Sequence, residues 1–122
     1  MRLRICFLSL LLLILVLPAC YYDVEEEIYP TLECNTENAS YSGVVLSIIS
    51  DNCYTCHDAN SNFGNVTLEG YTALKTYVDN GKLLGVIRHE TGFSPMPKNQ
   101  PQLVECDISK IEAWVNEGAL NN

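Results

Sequence analysis

The sequence predicts a small all-α domain of three to five short helices joined by long loops. Its 122 residues are enough for one compact domain and too few for two of ordinary size. Apolar residues recur at helical spacing in several segments, whereas the alternation that predicts strands is weak throughout. Glycine and proline cluster between those segments. Together these observations favour helices and long loops over a sheet.

Residues 1–19 are expected to be an export signal and not part of that domain. Arg2 and Arg4 form a positive leader, and the thirteen residues from 5 to 17 are apolar apart from Ser9, which is typical of a secretory signal. A transmembrane helix needs roughly 20 residues, so a permanent membrane span is the less favoured alternative.

The end of the leader, Leu17-Pro18-Ala19-Cys20, resembles the lipobox of bacterial lipoproteins, in which the cysteine thiol receives diacylglycerol. The resemblance implies that Cys20 is lipidated and that the exported protein is anchored to a bacterial membrane, facing the periplasm or the cell surface. Several acyl chains anchor stably because each buried CH₂ contributes ~0.8 kcal/mol. Ordinary cleavage that leaves Cys20 free or disulfide-bonded is the alternative.

The mature chain is strongly acidic. Without the leader, five Lys and Arg residues remain against fifteen Asp and Glu, so we expect no binding to nucleic acid or to anionic lipid. The simplest role of this negative charge is to keep the protein soluble. The alternative is that it steers the protein toward a basic partner. Residues 20–39 hold four acids from Asp23 to Glu27 and then Pro30, which predicts an extended acidic linker between lipid and domain. The domain is expected over residues 40–122.

The first helix is predicted from Tyr41. Its apolar residues follow the i, i+3, i+4, i+7, i+8 pattern of an amphipathic helix, and Ser40 or Ser42 is the expected N-cap. The helix continues to Cys53. Turn-forming residues over 58–65 predict an irregular loop after it.

Three more helices and one long loop complete the predicted fold. Short helices are expected over 72–79 and 82–88, separated by Asn80-Gly81. Residues 89–102 contain Gly92 and three prolines, which predicts a loop. A last helix over 107–117 presents an apolar face and ends before Gly118. Such a small domain has little core of its own, so we expect something else to fill its centre.

The segment Cys53-Tyr54-Thr55-Cys56-His57 carries the strongest chemical signal. Roughly 0.005 chance matches to C-x-x-C-H are expected from this composition, and the pattern marks haem c attachment. Covalent haem c needs two thiols for its vinyl groups and one imidazole for the iron. Cysteines at i and i+3 of a helical turn share a face, and a histidine directly after the second lies beneath the ring. We predict one covalent haem c bound through Cys53, Cys56 and His57.

Three alternatives use the same cysteines. A thioredoxin-like site would open a helix after a buried strand, but a predicted helix precedes Cys53 and no βαβ pattern is visible. A structural zinc site would recruit two ligands from Cys34, Cys106 and His89, which show no short ligand spacing. A disulfide between Cys53 and Cys56 would leave the centre of the domain unfilled.

Cys34 and Cys106 are the two cysteines that remain. Cys6 leaves with the signal, Cys20 is assigned to lipid, and the motif takes the other two. In an oxidising compartment a disulfide is the simplest outcome for such a pair, and closing this long span contributes ~4 kcal/mol in the chain-entropy treatment. Two unpaired buried thiols are the alternative.

The helix, the CYTCH motif, the short helices, the "SPMP" loop and the closing helix "ISKIEAWVNEGA" together resemble a small class I monohaem cytochrome c over about residues 41–120. The resemblance implies a fold around the haem and an axial methionine from a loop before the last helix, which matches Met96. A thioether favours ferrous iron and raises the potential. Pro95 and Pro97 stiffen the backbone on both sides of the sulfur-bearing residue. A gap-filling loop residue is the alternative for Met96, and His89 is the alternative ligand.

The resemblance implies an electron-transfer protein and not an enzyme. With His57 and Met96 on the iron, no position remains for a substrate. We expect redox proteins as partners, the membrane through Cys20, and neither nucleic acid nor a small-molecule substrate. An accessory haem subunit of a larger surface complex stays open, as does a gas-binding or catalytic haem protein if Met96 is not a ligand. The residues expected to wall the haem, or to be ordinary core, are Phe63, Tyr71, Leu83, Leu84, Phe93 and Trp114.

Overall fold

Four α-helices dominate the structure, a computed structural model that describes residues 34–122. No strand occurs over this range, so the predicted all-α class is confirmed for it. None of its helices is long and apolar enough to cross a membrane. The predicted signal, Cys20 and the linker up to residue 33 lie outside the described residues. The helices are α1 (Leu46–His57), α2 (Tyr71–Asp79), α3 (Lys82–Ile87) and α4 (Glu105–Asn116).

A π-helical turn, Tyr41–Val45, leads directly into α1. Ser40 is its N-cap, because Ser40 Oγ accepts a hydrogen bond from the Gly43 N–H at 3.1 Å. The Ser42 N–H donates to the Asn122 carbonyl at 2.8 Å. The last residues therefore close over the start of this helix and satisfy a donor that a helix N-terminus leaves without an internal partner.

Glycines end α2 and α4 at the positions that the sequence predicted. Gly81 has φ 72° and its N–H donates to the Val78 carbonyl at 3.0 Å, while Gly118 has φ 99° and donates to the Val115 carbonyl at 3.0 Å. A residue without a Cβ adopts this left-handed conformation at no steric cost. The chain can therefore turn sharply after each helix.

Aromatic side chains from the π-helical turn, α2 and α4 pack together in the core. The Trp114 ring lies 6.0 Å from Tyr41, and its Nε1–H donates to the Leu120 carbonyl at 2.8 Å. Tyr41 also packs edge-on against Tyr71 at 5.3 Å. The domain therefore has an apolar core of its own, contrary to our expectation. The buried apolar residues are Ala39, Tyr41, Val45, Ile48, Ile49, Leu68, Leu74, Leu83, Ile87, Ile108, Ile111, Trp114 and Ala119.

A disulfide joins Cys34 to Cys106 in the first turn of α4, with 5.4 Å between the Cα atoms. The bond closes a span of 72 residues that includes α1, α2 and α3. Residues 34–39, assigned to the linker from the sequence, belong to this compact unit, and Ala39 is buried. The cross-link therefore starts at the first residue of this compact unit.

Arg88, just after α3, binds two carboxylates of α4. Its Nε and Nη2 donate to the Glu112 carboxylate, both at 2.5 Å, and its Nη1 donates to Glu105 at 2.7 Å. The paired geometry is the strong, bidentate form of this interaction. Hydrogen bonding to Arg88 lowers the pKa of Glu112 below its ordinary value.

Glu112→Gln is expected to lower the free energy of unfolding at pH 7 by at most about 1 kcal/mol, because the pair is partly exposed. The carboxyl pKa is lower in the folded than in the unfolded state, so its stabilisation is present above the ordinary pKa of 4.5 and is lost as the pH falls through the folded value. Urea unfolding should therefore separate variant and wild type at pH 7, and the difference should shrink as the pH falls further below 4.5. Glu117→Gln is the control, and a difference that persists in acid would contradict this account.

Candidate functional site

An apolar cavity of about 460 Å³ lies beside the C-terminal half of α1. It is lined by Cys53, Cys56 and His57 from α1 and by Met96 from the loop before α4. The four residues that the sequence singled out for haem thus share one cavity, whose size is ordinary for a cofactor pocket. The other lining residues are Asn52, Phe63, Gly64, Val66, Leu68, Tyr77, Lys82, Leu83, Val86, Ile87, Pro97 and Lys98.

Cys53 and Cys56 are one helical turn apart, half-buried, and not bonded to each other. Burial raises the pKa of the Cys53 thiol to about 11, and the neighbouring Cys56 adds to the shift. Cys53 is therefore a neutral thiol at pH 7. A redox-active C-x-x-C motif instead has a lowered thiol pKa, so this environment argues against the thioredoxin-like alternative.

The segment after the 3₁₀ turn Phe63–Asn65 orients His57. His57 Nδ1 lies 3.0 Å from the Val66 carbonyl oxygen, and the Leu68 N–H donates to the His57 carbonyl at 2.8 Å. Because a carbonyl can only accept, Nδ1 carries the proton of the neutral ring, which leaves the Nε2 lone pair free to bind a metal. A backbone carbonyl bonded in this way fixes both the tautomer and the ring orientation of a metal-binding histidine.

Met96 is held through its backbone. Its N–H donates to the Val86 carbonyl at 3.0 Å, and its own carbonyl lies 3.1 Å from His89 Nε2. Since the Met96 carbonyl can only accept, Nε2 of His89 carries the proton and donates it to this bond. His89 does not line the cavity. The structure thus places Met96 at the same cavity as the other candidate ligands. His89 lies outside that cavity and contacts the Met96 backbone.

The residues that a zinc site would recruit are engaged elsewhere. Cys34 and Cys106 are bonded to each other, and His89 donates to the Met96 carbonyl. Within residues 34–122, no three His, Cys, Asp or Glu side chains cluster in a way that could hold a metal ion.

Two of the six residues expected to wall the haem line the cavity, namely Phe63 and Leu83. Tyr71 and Trp114 pack in the core instead. Three lining residues that the prediction missed follow patterns present in the sequence. Val86 is three residues after Leu83, at helical spacing, and Val66 and Leu68 alternate around the polar Thr67. The four expected residues that do not line the cavity are Tyr71, Leu84, Phe93 and Trp114.

Charge at the cavity is opposite in sign to that of the chain. Lys82 and Lys98 line the cavity, and no Asp or Glu does, although the chain has fifteen. Both lysines are exposed. An apolar interior with cations at its edge suits a ligand that has an apolar body and carboxylate groups.

The chain matches no protein-family model, no curated protein and no solved structure. Its function must therefore be inferred from the site itself. The donor set fits haem c: two thiols one helical turn apart, an imidazole with Nε2 available, and a thioether, all on one apolar cavity. The two lysines fit the carboxylates of such a group.

Proposed function

We propose that the protein is a monohaem c-type cytochrome that transfers electrons, with a small class I cytochrome c-like fold over residues 40–122. The observation that carries this proposal is that Cys53, Cys56, His57 and Met96 line the same apolar cavity. Met96 comes from a different segment of the chain than the other three, so its presence in the same cavity supports a role for all four in holding one ligand.

Each residue has one role in holding the group. Cys53 and Cys56 would form the thioether links, His57 would bind the iron through Nε2, and Met96 would bind it through sulfur. Haem supplies one-electron chemistry at its iron when bound. The Val66 carbonyl holds the His57 ring, and hydrogen bonds to Val86 and His89 hold the Met96 backbone. The apolar lining limits water around the iron, which together with the thioether favours the ferrous state.

If His57 and Met96 both hold the iron, they would leave no coordination position for a substrate, which favours electron transfer over catalysis. The partners of the protein are exported redox proteins. Lipid on Cys20 keeps it at a bacterial membrane, where it would meet those partners.

The full chain, produced with haem c maturation machinery, is expected to carry one covalently bound haem. Haem should remain with the polypeptide after denaturation and acid–acetone extraction, and the reduced protein should show a low-spin spectrum. An established c-type cytochrome matured in the same cells is the positive control. Absence of covalent haem from this chain while the control matures normally would overturn the proposal.

A further inference from the structure

The loop that carries Met96 starts from an unusual end of α3. His89, the first residue beyond the C-cap, has φ 53°, a left-handed conformation that glycine usually occupies. The Glu90 N–H donates to the Gly85 carbonyl at 3.0 Å, and the His89 N–H lies 3.4 Å from the Val86 carbonyl. This pair of bonds is a Schellman motif, which turns the chain back over the last turn of α3.

Gly85 lies in this last turn and is buried. A Cβ atom built on it would meet three carbons of the Phe93 ring at 2.6 to 2.7 Å, closer than real Cβ contacts come. The ring therefore lies directly on the backbone of α3. Glycine in a helix interior is unfavourable relative to alanine, and the backbone of Gly85 is not in the left-handed region. The close approach of the ring is the reason for a glycine here.

The same turn of α3 holds Met96. The Val86 carbonyl, one residue beyond Gly85, accepts a hydrogen bond from the Met96 N–H at 3.0 Å. His89 Nε2 donates to the Met96 carbonyl at 3.1 Å. The loop from 90 to 96 is therefore fixed at both ends by hydrogen bonds and in the middle by Phe93.

We propose that Gly85 and Phe93 are positioning residues for Met96: the ring, lying on the bare backbone of Gly85, sets the height of the ligand loop above α3 and so the place of the sulfur in the cavity. The consequence for iron ligation rests on the proposed function. A methyl group at Gly85 must push the ring and the loop outward and weaken the bond from Met96 to the iron.

The test compares Gly85→Ala in the wild-type chain and in a Phe93→Ala background. In the wild type, overpacking of this size favours displacement of Met96 by an external ligand roughly 5- to 150-fold. Carbon monoxide titration of the reduced protein measures this, and amide hydrogen exchange of Met96 measures the loosening of its bond to Val86. In the Phe93→Ala background the added methyl group meets no ring, so Gly85→Ala should change neither quantity further.

Two results would overturn the inference. The first is a Gly85→Ala variant whose carbon monoxide affinity and Met96 amide exchange equal those of the wild type. The second is a Gly85→Ala substitution that changes these two quantities equally with and without the Phe93 ring. If the ring did not contact Gly85, alanine at this position would stabilise the helix and lower the unfolding equilibrium constant about fivefold. If the wild-type protein carries no haem, the proposed function fails, and Met96 exchange in the same four proteins still decides whether the contact positions the loop.

Discussion

Replacing both Cys53 and Cys56 by alanine is expected to abolish covalent haem and to remove most of the stability of the domain. The cavity of about 460 Å³ would then lack its ligand. The apolar side chains that line it would then face water instead of the haem. Burying one large apolar side chain contributes about 1.5–3 kcal/mol, so exposing several of them removes a large part of the total stability of a small domain, ~5–15 kcal/mol.

Circular dichroism and thermal unfolding should show a weaker helical signal and a low, broad transition for this double variant. Thr55→Ala is the matched control, because Thr55 lies between the two cysteines, is exposed and does not line the cavity. A haem-free double variant that unfolds cooperatively at the wild-type temperature would contradict the expectation. It would mean that the core around Trp114 is sufficient on its own.

Met96→Ala is expected to give the largest change in redox behaviour while leaving haem attached. Loss of the thioether opens one side of the iron, so the reduced protein should become high-spin and bind carbon monoxide rapidly. The potential should fall on the order of 0.1 V, within the roughly 0.8 V range that axial ligands cover. Visible spectra and a redox titration measure both effects.

His89→Ala is the comparison that makes this test decisive. His89 lies behind Met96 and supports its backbone, so its loss should weaken ligation without replacing the ligand. The change in spectrum should therefore be smaller than in Met96→Ala. If instead the spectrum is unchanged in Met96→Ala and the iron loses a ligand in His89→Ala, His89 and not Met96 is the second iron ligand.

Much of the helical organisation is readable from local signals. The apolar stripe from Tyr41, the cap at Ser40 and the stops at Gly81 and Gly118 are all present in the structure. Helix ends shift by one or two residues, as for α4, which begins at Glu105 rather than at residue 107. Periodicity and turn chemistry act within a few residues of each other, so the sequence carries them directly.

Division of the apolar residues between core and cavity was not predictable. Trp114 and Leu83 lie on apolar helix faces, but Trp114 packs against Tyr41 while Leu83 lines the cavity. Periodicity indicates which face of a helix is buried and not what it is buried against. That depends on how the helices cross, which follows from contacts between residues distant in sequence. The expectation of little core of its own did not anticipate the residues packed around Trp114.

The roles of Met96 and His89 were predictable to different degrees. The two flanking prolines predicted a rigid backbone at Met96, and in the structure Met96 lines the cavity. The part played by His89 depends on its left-handed backbone and on a hydrogen bond across seven residues. Neither leaves a pattern in the sequence, because histidine is not the residue that usually occupies such a turn.

The disulfide between Cys34 and Cys106 also decides how the protein carries mechanical load. A pull exerted through the residues before Cys34 passes across the covalent bond into the first turn of α4. Every residue that lines the cavity, from Asn52 to Lys98, lies inside the closed span and off the direct line of that force. If lipid on Cys20 anchors the protein as proposed, a pull on that anchor would therefore load α4 before it reached α1, the helix that carries His57.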